Sequence, residues 1–141
     1  MSALLLAAED AEDLEIISAR VQDAVAPIKD FVYLPRKRRF AALLNRFKWE
    51  EGKDVRVRSR LHFDDVLSVK SKNVKRGTAN AVVSLLAIRF TPQGAEDPSG
   101  TIELLLSGGG AIQLSVECID AGLADVGAEW AARGRPRHGE G

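Results

Sequence analysis

One cysteine, Cys118, stands in 141 residues. No disulfide can form within the chain, so the fold rests on its core and suits a reducing compartment. Histidines number only two, His62 and His138. A metal site needs three or four converging ligands, and no second His cluster or Cys pair accompanies His62-Phe63-Asp64-Asp65. A Ser or Cys nucleophile needs a His oriented by a carboxylate, and His138 lies in a polar tail. No apolar run approaches the roughly 20 residues of a membrane span. The N-terminal run of about six apolar residues lacks the length and basic start of a secretory signal. Gly108-Gly109-Gly110 is followed neither by a helix start nor by the Lys-Ser/Thr of a phosphate loop, so it reads as a hairpin turn. No cofactor or metal is implied, and a cytoplasmic location without a membrane partner is expected.

What is present is ordinary globular composition, 45% hydrophobic and 28% charged. At this length it points to one domain, taken as 1–133, with a polar tail at 134–141. Leu4-Leu5-Leu6 reads as a first strand. Between Glu9 and Val25, the spacing of Leu14, Ile17, Val21, Ala24 and Val25 predicts a helix with acidic residues in its first turn and Pro27 beyond its end. The period then changes to two. Phe31–Leu34, a turn at Pro35-Arg36-Lys37-Arg38, and Arg39–Trp49 predict a hairpin. Val55–Phe63 alternates, with Val55, Val57, Leu61 and Phe63 on one side and Arg56, Arg58, Arg60 and His62 on the other. Strands are expected at 66–70, 82–90, 101–106 and 111–117, with a surface loop at 93–100 and a second, short helix at 119–132. The sum is α+β: a curved antiparallel sheet of six to eight strands between an N-terminal and a short C-terminal helix. That order of elements is similar to pleckstrin-homology half-barrels.

Several stretches carry a family resemblance. They are Asp13 to Ala24, Tyr33-Leu34-Pro35-Arg36-Lys37-Arg38-Arg39-Phe40, Leu44 to Glu50, Leu61-His62-Phe63-Asp64, Leu85 to Phe90, Gly108 to Ile112 and Arg135-Pro136-Arg137-His138. Together they resemble domain of unknown function family 2948, small bacterial proteins found mainly in alphaproteobacteria. The resemblance implies one cytoplasmic domain and carries over no catalytic residue, cofactor or partner.

The distribution of charge singles out a candidate site. Formal net charge is zero, from 20 basic and 20 acidic residues. Residues 1–28 nevertheless carry −5, residues 29–76 carry +9 and residues 77–141 carry −4. Arg56, Arg58 and Arg60 share one side of one strand, about 7 Å apart, close to the interval between phosphates of an extended single strand. Arg36, Arg38 and Arg46 are candidates to extend that surface. Six phosphate contacts would weaken binding about a thousandfold between 50 and 200 mM salt. The leading expectation is a non-enzymatic binding module whose basic sheet face meets an anionic partner, nucleic acid or an acidic protein. The alternative is a structural or homodimeric assembly protein whose basic face pairs with acidic helix surface. An enzyme built around His62 and Asp64 is the third reading.

Overall fold

A computed structural model describes residues 3–51, 55–74, 80–127 and 130–131. Its elements run β1 (Leu5–Ala8), α1 (Ala11–Arg20), β2 (Ala24–Pro27), β3 (Phe31–Leu34), β4 (Arg39–Phe47), β5 (Val55–Phe63) and β6 (Val66–Lys72). There follow β7 (Val82–Gly94), β8 (Asp97–Leu106), β9 (Ala111–Val116), β10 (Ala121–Asp125) and β11 (Trp130–Ala131). All eleven strands belong to one sheet, in the order β1-β10-β5-β4-β2-β7-β8-β9-β6, with β3 beside β4 and β11 beside β5. Every pairing is antiparallel. The sheet curves until its last strand returns to its middle. The Val66 N–H on β6 donates to the Arg38 carbonyl at 2.9 Å, and the Tyr33 hydroxyl donates to the Val66 carbonyl at 3.0 Å.

Alternation decides which side is core. Phe40, Ala42 and Leu44 of β4, Leu61 and Phe63 of β5, Ile102, Leu104 and Leu106 of β8, and Ile112, Leu114 and Val116 of β9 are buried in one cluster. Each buried large apolar side chain contributes about 1.5–3 kcal/mol relative to exposure. Helix α1 lays Leu14 and Ile17 into the same cluster. Its Asp10 side chain caps the first turn by accepting the Asp13 N–H at 2.8 Å.

Three expectations need correction. The helix stops at Arg20 rather than Val25, because Asp23 takes a left-handed φ of 64° and the next residues join the sheet between β4 and β7. Residues 93–100 are no open loop but the end of the β7–β8 hairpin, with Gly94 opposite Asp97. The helix expected at 119–132 is replaced by β10 and β11, so the sheet has eleven strands among the described residues instead of six to eight. Ile119, Ala121 and Leu123 are buried at a period of two, which a helical reading of the same apolar residues conceals. Among the described residues, two strands therefore stand in place of the closing helix behind the likeness to pleckstrin-homology half-barrels. The expected tail at 134–141 lies outside the described residues. No helix among the described residues is long and apolar enough to cross a membrane.

Candidate functional site

Strand β5 runs between β4 and β10, and the register places every side chain. Its inward residues Val57, Ser59, Leu61 and Phe63 are buried, whereas Arg58 and Arg60 are exposed on the opposite side. Opposite Arg56, Arg58, Arg60 and His62 stand Phe47, Asn45, Leu43 and Ala41 of β4. The outer face is thus a ladder of four cross-strand pairs, about 7 Å apart. Arg56 lies with its guanidinium 3.8 Å from the centroid of the Phe47 ring and donates to the Asn45 carbonyl at 2.8 Å. Such a cation–π contact fixes a guanidinium while leaving its charge intact. The side chains of Arg58 and Arg60 make no hydrogen bond or ion pair among the described residues. The acidic helix α1 packs on the core side of the sheet, so within one chain it does not cover them.

Arg46 does not belong to this face. It continues the inward phase of Phe40, Ala42 and Leu44, and its side chain is 0% exposed. Its Nε donates to Asp125 at 3.0 Å and to the Ser59 hydroxyl at 3.1 Å. Nη1 donates to Glu50 at 3.0 Å and to the Phe47 carbonyl at 3.1 Å. Nη2 donates to Glu50 at 2.7 Å and to Asp125 at 3.0 Å. Asp125 also accepts the Ser59 hydroxyl at 2.6 Å and the Leu4 N–H at 2.9 Å. Burial opposes the charge on Asp125, but these bonds hold its carboxyl below the usual range. Hydrogen bonding from Arg46 does the same for Glu50. With every N–H of its guanidinium engaged, Arg46 has no donor left for a ligand. Its role is to tie β1, β4, β5, β10 and the turn at Trp49–Glu51 together.

Arg36 and Arg38 lie at the other end of β4, in an exposed turn beyond Arg39. There the basic charge meets carboxylates. Arg38, in a left-handed conformation, pairs with Glu117, and Arg39 forms a two-point bridge to Asp64 at 2.7 and 3.2 Å. Asp65 and Asp120 lie in the same region, and burial with these neighbouring carboxylates raises the pKa of Asp120. Of the six candidate arginines, then, Arg56, Arg58 and Arg60 share a face, Arg36 and Arg38 sit apart from it in the turn, where Arg38 pairs with Glu117, and Arg46 is interior.

His62 closes the ladder at its acidic end. Its ring covers Gly122, directly opposite on β10, so closely that a Cβ there would lie 2.4 Å from Cε1. Burial pushes the imidazole below its ordinary pKa, against the attraction of Asp64 and with the repulsion of Arg39 and Arg60. Its Nε2 is 3.8 Å from Asp64, whose oxygens are already engaged by Arg39. The Cys118 thiol donates to the Asp65 carboxylate at 3.4 Å, and burial and that neighbour push its pKa up, opposite to an activated nucleophile. Among the described residues, no three His, Cys, Asp or Glu side chains converge as metal ligands would.

The model of a protein family described as "Protein of unknown function (DUF2948)" matches residues 4–138. The chain belongs to this family. No curated protein and no solved structure matches it. In this DUF2948 chain, sequence reading finds the phase of Arg56, Arg58 and Arg60 but misses Ser59, Glu50 and Asp125 as the partners of Arg46. A signal existed: the inward alternation of β4 reaches Arg46, and an inward arginine needs carboxylates.

Proposed function

We propose that this DUF2948 chain is a non-enzymatic binding module whose outer β5 face holds the phosphate backbone of a single-stranded nucleic acid. One observation carries the reading. Arg20, Arg38, Arg39 and Arg46 each meet a carboxylate, whereas the side chains of Arg58 and Arg60 stand exposed on one side of β5 with no partner among the described residues. Arg56, held against Phe47, adds a third charge in line. Counterion release sets the scale of the test. Three contacts to a single strand give a log–log salt slope of about −2, or roughly 20-fold weaker binding between 50 and 200 mM salt. That is far less than six contacts would give. Anisotropy of a labelled oligothymidylate should show this slope, falling by about 0.7 in Arg58→Ala. No binding at 50 mM salt overturns the reading. Were the outer face instead to pair with α1 of a second copy, sedimentation at low salt would show a salt-sensitive oligomer that Arg58→Glu dissociates.

A further inference from the structure

The basic ladder has an aromatic end. Trp49 follows β4 in a 3-10 turn and leaves 46% of its surface exposed, a large apolar area for solvent to meet. It is nevertheless held at two points. The indole N–H donates to the Gln22 carbonyl at 3.0 Å, and the ring leans on Phe47 at a centroid distance of 5.3 Å and an angle of 51°. The next residue, Glu50, is gripped by Arg46 at 2.7 and 3.0 Å, so the backbone carrying the indole is anchored from the interior. Phe47 cannot serve as an open platform, because the Arg56 guanidinium already covers it at 3.8 Å. Among the described side chains, the indole is the remaining aromatic surface at this end of the ladder, where Trp130 of β11 also pairs with Arg56. From Phe47 and Arg56, the pairs Asn45–Arg58 and Leu43–Arg60 follow at intervals of about 7 Å. A matching ligand carries a flat π system at one end and negative charges repeating along its length.

We infer that Trp49 is the stacking platform for an unpaired base of a single strand whose following phosphates lie along Arg58 and Arg60. The inference rests on the proposed reading of β5 as a single-strand backbone site and adds to it the residue that takes a base. A duplex keeps its bases stacked inside and offers Trp49 nothing, whereas every unpaired base presents a π face. Asp23, whose charge acts on Arg56, makes the Trp49 end less attractive to phosphate than the Arg58–Arg60 end. Base at one end and backbone at the other is the arrangement this favours.

Two probes separate the inference from its foundation: an oligothymidylate of 15 residues and inorganic polyphosphate, which has the charge but no base. With wild-type protein, both should bind at 50 mM salt, and only the oligothymidylate should quench tryptophan fluorescence. Trp49→Leu should remove most of that quenching, leaving only what Trp130, the second tryptophan, contributes, and weaken oligothymidylate binding about tenfold, while leaving polyphosphate affinity within about twofold. Trp49→Phe keeps an aromatic surface and should recover most of the affinity. Oligothymidylate binding unchanged in Trp49→Leu, with polyphosphate still bound, overturns the stacking inference and leaves the basic face standing. Failure of both probes to bind wild-type protein overturns the two together.

Discussion

Replacing Asp125 with asparagine keeps the shape of the side chain and removes its charge at the most demanding point of the interior. The carboxylate is 2% exposed and accepts four hydrogen bonds, two from Arg46, one from the Ser59 hydroxyl and one from the Leu4 N–H. An amide has one acceptor oxygen, and its NH2 group would face donors. Arg46 would be left with Glu50 alone as a charged partner, and Glu50 is 21% exposed and partly hydrated. Removing one member of a buried ion pair costs about 3–5 kcal/mol. Losing two charge-assisted bonds at about 1.5–3 kcal/mol each agrees with that range. For a chain of this length the melting temperature should fall by roughly 10–16 °C. Removing both charges in Arg46→Met/Asp125→Leu should recover most of the loss, because a buried pair replaced by apolar groups of similar volume is often near neutral.

The same cluster sets the acid limit. Asp125 and Glu50 have folded-state pKa values below their unfolded ones. Their contribution is therefore complete above the unfolded carboxylate values of about 4 and is lost as pH falls through the folded ones. Calorimetry between pH 7 and pH 2.5 should show a steep acid loss in the wild type and a shallower one in Asp125→Asn. A change in melting temperature below about 3 °C for Asp125→Asn at pH 7 would refute the network as the clamp of these strands.

Two further outcomes concern the outer face. Gly122→Ala places a Cβ 2.4 Å from His62 Cε1 and 3.1 Å from Nε2, so the ring must leave its seat at a cost of about 1–3 kcal/mol, measured by urea unfolding. The penalty should largely vanish when the substitution is made in a His62→Ala background; a penalty that persists there contradicts the packing described. His62 should titrate below the ordinary imidazole value in an NMR pH series, because burial, Arg39 and Arg60 disfavour its proton. Since protonation is harder in the folded state, stability drops as pH falls below the unfolded imidazole value. Arg60→Gln should raise the midpoint; a midpoint that falls speaks against Arg60 as a neighbour.

How much of this was legible depended on whether one period dominated a segment. Val55–Phe63 alternates with only Ser59 polar on its inner side and folds with the bounds read from its sequence, which fixes the side on which Arg56, Arg58 and Arg60 stand. Gly108 and Gly109 take φ of 82° and 85° in the turn between β8 and β9, as two glycines between alternating runs suggest. Residues 119–132 misled because Ile119 and Leu123 fit a spacing of four as well as of two, and the pairing of β10 with β1 and β5 decides between them. Ala24 and Val25 likewise extend the helical pattern of α1 but are claimed by strand pairing with β7. The site was legible in part for a related reason. Outward arginines show themselves by alternation within one strand, whereas Arg46 is neutralised by Glu50 and by Asp125, 79 positions away. The zero net charge is thus partly internal pairing, at Arg46 and at the Arg38–Arg39 end, and partly separation, with α1 and the β5 arginines on opposite sides of the sheet.

The most direct test compares charge reversals at the two ends of the basic segment. Arg58→Glu/Arg60→Glu and Arg36→Glu/Lys37→Glu change the net charge equally, yet only the first alters the outer face of β5. Titrated with labelled oligothymidylate at 50 mM salt, the β5 variant should lose at least about a hundredfold in affinity, since two contacts are replaced by repulsion. The turn variant should stay within about threefold of wild type, the residual long-range effect of net charge. Equal losses in both variants, or binding retained in Arg58→Glu/Arg60→Glu, would contradict the assignment of the β5 face as the binding site.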